Sequence, residues 1–210
     1  MSMLMLGLVI AYVAGSFPTA YLMGRALKGI DLRTVGSGNL GATNVYRSLG
    51  LGPAAAVFAI DAAKGFLPVA WLPQLLGAST PLQVTVWALA YGVFAIGGHA
   101  KPIFLLWKGG GKGVSTAAGV FAAAAPVPLA LALMVFTVVT VVSGYVSLGS
   151  LVAAPVLCVV VAFYLGFGPV FWASIALAVF IYWSHRANIG RLRAGTESSI
   201  RHTRNTGATR

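Results

Sequence analysis

VSTAAGVFAAAAPVPLALALMVFTVVTVVS, residues 114–143, reads either as one apolar helix or as two short ones broken at Pro126 and Pro128. Proline inside a helix removes a backbone donor and clashes with the preceding turn, which favours the break. Five further apolar segments surround it, at about 3–24, 53–72, 82–98, 151–165 and 169–184. None shows the two-residue alternation of a membrane barrel strand, and backbone polar groups in lipid must be bonded within the segment, so helices are expected.

Charge decides between the two readings. The chain of 210 residues is 59% hydrophobic and 8% charged, too few charges to cover that apolar surface in water, so the bilayer is its solvent. Its net charge of +11 is confined to a few places. Arg25, Lys28, Arg33 and Arg47 flank the first loop, Lys101, Lys108 and Lys112 lie in the third, and six arginines follow the last segment. The connections near 73–81, 125–128 and 166–168 carry no charge, and the positive-inside rule puts them outside. The N-terminus is then outside. Two helices in 114–143 give seven spans and a cytoplasmic C-terminus; one helix would export the arginines. The expectation is an all-α, polytopic bundle of about seven transmembrane spans, a single domain over 1–197, and a mobile polar tail over 198–210. Residues 4–13 lack the charged start and cleavage site of a signal peptide and read as a retained first span. Cys158, the lone cysteine, sits in an apolar run and reads as packing.

Cations placed in short loops between spans suit anionic lipid or an anionic substrate, not nucleic acid. Three loops carry more than a turn requires. Gly36-Ser37-Gly38-Asn39-Leu40-Gly41-Ala42-Thr43-Asn44, followed by Arg47, combines permissive backbone with small polar side chains and reads as an anion site or a flexible capped turn. A helix beginning near Thr43 would set Arg47 beside its N-terminal amides, a poor place for a cation unless an anion sits there. Gly97-Gly98-His99, Lys101-Pro102 and Lys108-Gly109-Gly110-Gly111-Lys112-Gly113 lead into a helix and read as a phosphate cradle or a basic interfacial loop. Gly113 after Lys112 excludes a Walker A loop. In the third, His185, Asn188 and Arg191 lie three apart and share a face if the last helix continues. Asp61 and Lys64 fall about ten residues into the second span, either pairing as helix glue or lining the site from below.

These motifs resemble, in order, the bacterial acyl-phosphate:glycerol-3-phosphate acyltransferases. The resemblance rests on Gly-Ser-Gly-Asn-x-Gly-Ala-Thr-Asn-x-x-Arg at 36–47, Asp-x-x-Lys-Gly at 61–65, Gly-His-x-x-Pro at 98–102, Gly-Gly-Lys-Gly-Val at 110–114 and His-x-x-Asn-x-x-Arg-Leu-x-x-Gly-x-Glu at 185–197. It implies acyl transfer from acyl phosphate to the 1-hydroxyl of glycerol 3-phosphate, giving lysophosphatidic acid and phosphate, at the cytoplasmic face of a bacterial inner membrane. By the resemblance Ser37, Arg47, His185 and Asn188 are catalytic. Asn39, Gly41, Thr43, Asn44, Lys64, His99, Lys108, Gly110, Gly111, Lys112, Gly113, Ser150 and Arg191 bind substrate or its phosphate, and Asp61 and Glu197 are structural. Lys108-Gly109-Gly110-Gly111-Lys112 carries one glycine more than the family's Lys-Gly-Gly-Lys, so Lys108 aligns less well than Lys112.

Acyl phosphate is already activated, so no cofactor is expected, and the sparse acids, histidines and cysteine offer no metal cluster. Phe104 and Gly190 stand where a His-x4-Asp acyltransferase needs its acid, and no Ser-His-acid triad is evident. Direct attack by the glycerol hydroxyl is expected, its proton going to the donor's phosphate or to His99 or His185. An organophosphate transporter is the alternative: basic loops and intramembrane Asp61 and Lys64 would also serve anion passage. The sequence leaves the oligomeric state open, a monomer included.

Overall fold

The computed structural model describes residues 3–201, and all regular structure among them is helical. Each expected apolar segment forms a helix. The first is interrupted: α1 (Met3–Ser16) and α2 (Thr19–Lys28) are separated at Phe17 and Pro18, where the proline ring ends the first helix. Together they make a 26-residue stretch long and apolar enough to cross a membrane. The same holds for α4 (Leu51–Leu75), for α5 (Pro81–Ala100) with the 3-10 turn Ile103–Leu105 that follows it, for α7 (Pro126–Ser143) and for α8 (Val146–Leu165). α9 (Pro169–Ser184) and α10 (Arg186–Arg193) bend by 58° at His185 and reach that length only as a pair.

The deciding stretch breaks where proline demands it. α6 (Val114–Ala124) stops two residues before Pro126, which begins α7. Pro128 does not break anything: it sits in the first turn of α7, where backbone N–H groups have no partner within the helix. α6 has 11 residues. At 1.5 Å per residue it is about 16 Å long, roughly half the hydrocarbon thickness.

The chain divides into two compact units, one ending at Pro126 and the other beginning at Val127. In the first, α4 packs on α1, α5 and α6, and the short α3 (Ala42–Leu49) packs on α4. Two glycines set the closeness of α4 and α6. A methyl group on Gly65 would run into the carbonyl of Thr116, and one on Gly119 into that of Ala62. Without a hydrophobic drive between helices in lipid, such backbone approach supplies the packing. Beside this bundle Leu32, Leu40 and Val45 bury with Ala20, Ala54 and Val57. Burying each leucine is worth about 1.5–3 kcal/mol, so Leu32 and Leu40 nail down both ends of the loop between α2 and α3.

In the second unit α8 packs on α9, and the Tyr182 hydroxyl donates to Leu151 O at 3.1 Å. The start of the expected polar tail is bound. Ile200 N donates to Gly144 O at 2.9 Å, and Arg201 Nη2 donates to Val141 O and Val142 O at 2.7 Å each. Those carbonyls close α7, where a cation is favoured. Residues 202–210, the remainder of that tail, lie outside the described residues.

Candidate active site

In the first unit the two glycine-rich loops are joined through one carbonyl. Gly110 O accepts from the Asn39 side-chain amide and from Leu40 N, both at 3.1 Å. Gly110 has φ +151°, and a methyl group there would strike the carbonyl of Ala100, so the strand of chain lies flat against the end of α5. Arg33 makes a second tie. Its guanidinium grips Asp31 through Nε at 3.0 Å and Nη2 at 2.7 Å, lies over Tyr21, and donates from Nη1 to Lys108 O at 3.2 Å. The hydrogen bonds from Arg33 hold the Asp31 carboxyl below its usual 3.8, at about 2.

Asn44 shapes the first loop from inside. It is buried, donating to Leu32 O and Val35 O at 3.1 and 3.0 Å and accepting from Ser37 N at 3.0 Å. These three bonds all go to the loop itself. Ser37 stands exposed at the crest that Asn44 supports. α3 starts earlier than expected, at Ala42, with Gly41 as its N-cap and Thr43 inside its first turn. The helix ends at Leu49, so Arg47 lies in its last turn, where a cation agrees with the helix dipole, and the expected conflict with the N-terminus does not arise. Gly113, with φ +81°, turns the second glycine-rich loop into α6, and Lys112 precedes it.

Below these loops lie three ionisable groups. Lys64 Nζ donates to Asp61 Oδ1 and to Phe17 O, each at 2.5 Å, and His99 Nδ1 is 3.8 Å from the same carboxylate oxygen. Asp61 is 1% exposed and Lys64 and His99 7% each. Lys64 and His99, expected to bind phosphate, are buried and turned toward Asp61. An ammonium at that depth needs anionic and dipolar partners, and the carboxylate together with the carbonyl at the α1–α2 break provides them. The imidazole packs directly behind Gly111, whose N–H donates to His99 O at 3.1 Å.

In the second unit one carboxylate gathers the third motif. Glu197 Oε1 accepts from Asn188 Nδ2 at 2.6 Å and Ser147 Oγ at 2.8 Å, and Oε2 from Arg191 Nε at 2.7 Å. Burial opposes ionisation of Glu197, but these three donors outweigh it and hold its carboxyl below the ordinary value. The last helix does not continue straight: it bends at His185, so His185 precedes the helix that carries Asn188 and Arg191. His185 Nδ1 lies 2.8 Å from Ile181 O. A nitrogen facing a carbonyl carries hydrogen, so the neutral ring presents Nε2 as an acceptor. Ser150 is buried and donates back to Val146 O within its own helix at 3.0 Å.

The motif reading missed Asp31, Arg33 and Ser147 as members of these networks. The signal for Asp31 was its rarity, as one of three acids two residues from an arginine. Among the described residues no group of histidine, cysteine and carboxylate side chains could hold a metal ion.

A family profile described as glycerol-3-phosphate acyltransferase matches residues 5–195. The chain is 44% identical over 191 residues to a glycerol-3-phosphate acyltransferase of Trichlorobacter lovleyi, covering 91% of this chain and 94% of that one. It is 46% identical over 194 residues to that of a Synechococcus species, covering 92% and 93%. Among solved structures it is similar to PlsY, described as an integral membrane glycerol 3-phosphate acyltransferase, in its glycerol 3-phosphate form. The TM-score is 0.84 at 34% identity, over 94% of this chain and 95% of that chain. The lysophosphatidic acid form of PlsY gives 0.82 at 32%, over 93% and 94%.

Proposed function

This chain belongs to the glycerol-3-phosphate acyltransferase family, and from that premise we propose that its acyl donor is an acyl phosphate drawn from the membrane. It is an integral membrane acyltransferase that acylates glycerol 3-phosphate. In the proposed reaction the 1-hydroxyl of glycerol 3-phosphate attacks the carbonyl carbon of the donor, a C–O bond forms, and the bond from carbonyl carbon to phosphate oxygen breaks. Inorganic phosphate leaves with the electron pair, and lysophosphatidic acid remains.

One observation carries this reading: Gly110 O binds the two glycine-rich loops together, bringing the Ser37 loop and the Lys112 loop onto one small surface. Backbone amides and cations on that surface suit a phosphate ester or anhydride, and they stabilise a phosphate as it departs. Lys112, with Gly110, Gly111 and Gly113, holds phosphate; Ser37 and Arg47 act on the reacting groups. His185 and Asn188 bind glycerol phosphate, with Glu197 and Arg191 fixing Asn188. The hydroxyl proton passes to the departing phosphate or to His185 Nε2. His99, packed behind Gly111, does not serve as base. The positive-inside pattern supports seven crossings, the 11-residue α6 counted as a short one, with an outside N-terminus and a site facing the cytoplasm of a bacterial inner membrane.

The test is direct. Purified protein in detergent, given palmitoyl phosphate and glycerol 3-phosphate, should release inorganic phosphate and form lysophosphatidic acid in equal amounts. Product from palmitoyl coenzyme A but not from palmitoyl phosphate would overturn the choice of donor. Flux of glycerol 3-phosphate across liposomes without chemistry would support a transporter.

A further inference from the structure

We infer that Asp61, Lys64 and His99 are positioning residues for the phosphate cradle, a buried polar wedge that sets the height of Gly110 and Gly111. The inference rests on the cradle's proposed phosphate role and adds residues that never touch substrate.

The wedge can be followed atom by atom. Lys64 Nζ ties α4 to the carbonyl of Phe17 and to Asp61 Oδ1, so the ion pair clamps α4 to the broken end of α1. The ammonium also lies 5.7 Å from the centre of the Phe17 ring, which closes that side. His99, on α5, fills the space between Asp61 and the loop: its Nδ1 edge is 3.8 Å from Asp61 Oδ1, and its opposite edge carrying Nε2 abuts Gly111. Gly111 N donates to His99 O, so ring and backbone of one residue both fix the loop. Asp61, Lys64, His99, Gly110 and Gly111 line one narrow cleft with Thr19. Asp61 Oδ2 and Thr19 Oγ1 are buried there without a hydrogen-bond partner among the described residues.

Stability alone does not account for this cluster. Removing two charges from water costs much of what their attraction returns, and well-packed apolar residues at such a pair are often neutral or stabilising. Ionisable groups inside a membrane are kept where they do work. Here the work is geometric: a phosphate held by backbone amides is sensitive to small displacements of those amides, and the three atoms nearest a methyl group on Gly111 all belong to the His99 ring. Apolar replacements would fill the space without fixing the direction in which His99 leans.

Steady-state kinetics in detergent test this with palmitoyl phosphate and glycerol 3-phosphate. Lys112→Ala identifies the substrate whose KM depends on the cradle. The double variant Asp61→Asn with Lys64→Met removes both charges together and leaves no unpaired ion. It should fold, with a thermal midpoint close to that of the unaltered protein. It should raise the KM of that same substrate about tenfold, with kcat within about twofold and the other KM unmoved. His99→Ala should move the same KM. Unaltered KM values in the folded double variant, equal rises in both, or loss of kcat alone would each overturn the inference. So would a double variant that does not fold, since the pair would then serve stability. Unaltered kinetics in Lys112→Ala would instead remove the cradle as phosphate holder, a separate failure.

Discussion

The two units hold their motif residues by opposite means. In the first unit the hub is a neutral backbone carbonyl, Gly110 O, which accepts from Asn39 and Leu40 and sits in a conformation that only glycine adopts readily. In the second the hub is a charge, the Glu197 carboxylate, which collects Asn188, Ser147 and Arg191. A carbonyl hub depends on backbone shape and is indifferent to pH. A carboxylate hub depends on ionisation and tolerates backbone change around it. The first arrangement suits a surface of amides that must meet phosphate at fixed distances; the second suits side chains that must be aimed.

The comparison breaks most readily at Glu197, whose side chain is 6% exposed. Glu197→Ala leaves the Asn188 and Ser147 donors unmet and should cost about 3 kcal/mol, read as a large drop in thermal midpoint with loss of activity. Glu197→Gln should keep more of both, because one amide oxygen can still accept from Asn188 while Arg191, 41% exposed, turns to solvent. Equal losses in the two variants would show that ionisation carries the whole of the hub, and a Gln variant as stable and active as the unaltered protein would show that charge plays no part in it.

Gly110→Ala should have a smaller effect on stability, about 1–3 kcal/mol for the forced backbone and the approach to Ala100 O, but should raise a substrate KM with little change in the second unit. Hydrogen exchange would read the localisation; changes spread over α8 and α10 would contradict it. The smallest effect is that of acid. Asp31 and Glu197 both have lowered folded pKa values, so their contributions are complete above the ordinary values of 3.8 and 4.5 and are lost as pH falls through the folded ones. Melting curves should change little from pH 8 to pH 5 and fall below about pH 4. Glu197→Ala should flatten that fall more than Asp31→Asn, since the Asp31 pair lies nearer the surface.

Motif reading located the loops but not what joins them, for a physical reason. Gly36 to Asn44 and Lys108 to Gly113 announce themselves by composition, because only such residues permit the backbone they need. The bonds from Asn39 and Leu40 to Gly110 O leave no mark, since any residue offers a carbonyl. Asn44 was legible as important but not as a brace, because an amide looks the same whether it faces a ligand or its own chain. Lys64 and His99 are similar: depth in the membrane was visible, orientation was not. The break at Pro18 was not read, because apolar residues on both sides hid it within one long segment and hydropathy cannot see a bend. Pro126 was read correctly and Pro128 was not, because the cost of proline depends on its distance from the helix start.

Asn44 has one more consequence. Its bonds to Leu32 O, Val35 O and Ser37 N are all internal to the chain and fix the shape of the first loop. A substrate arriving at such a loop need not organise it, and little of the gain on contact is lost to freezing chain motion. A few contacts can then suffice for a small, strongly hydrated ligand, and product can leave without the loop unfolding behind it.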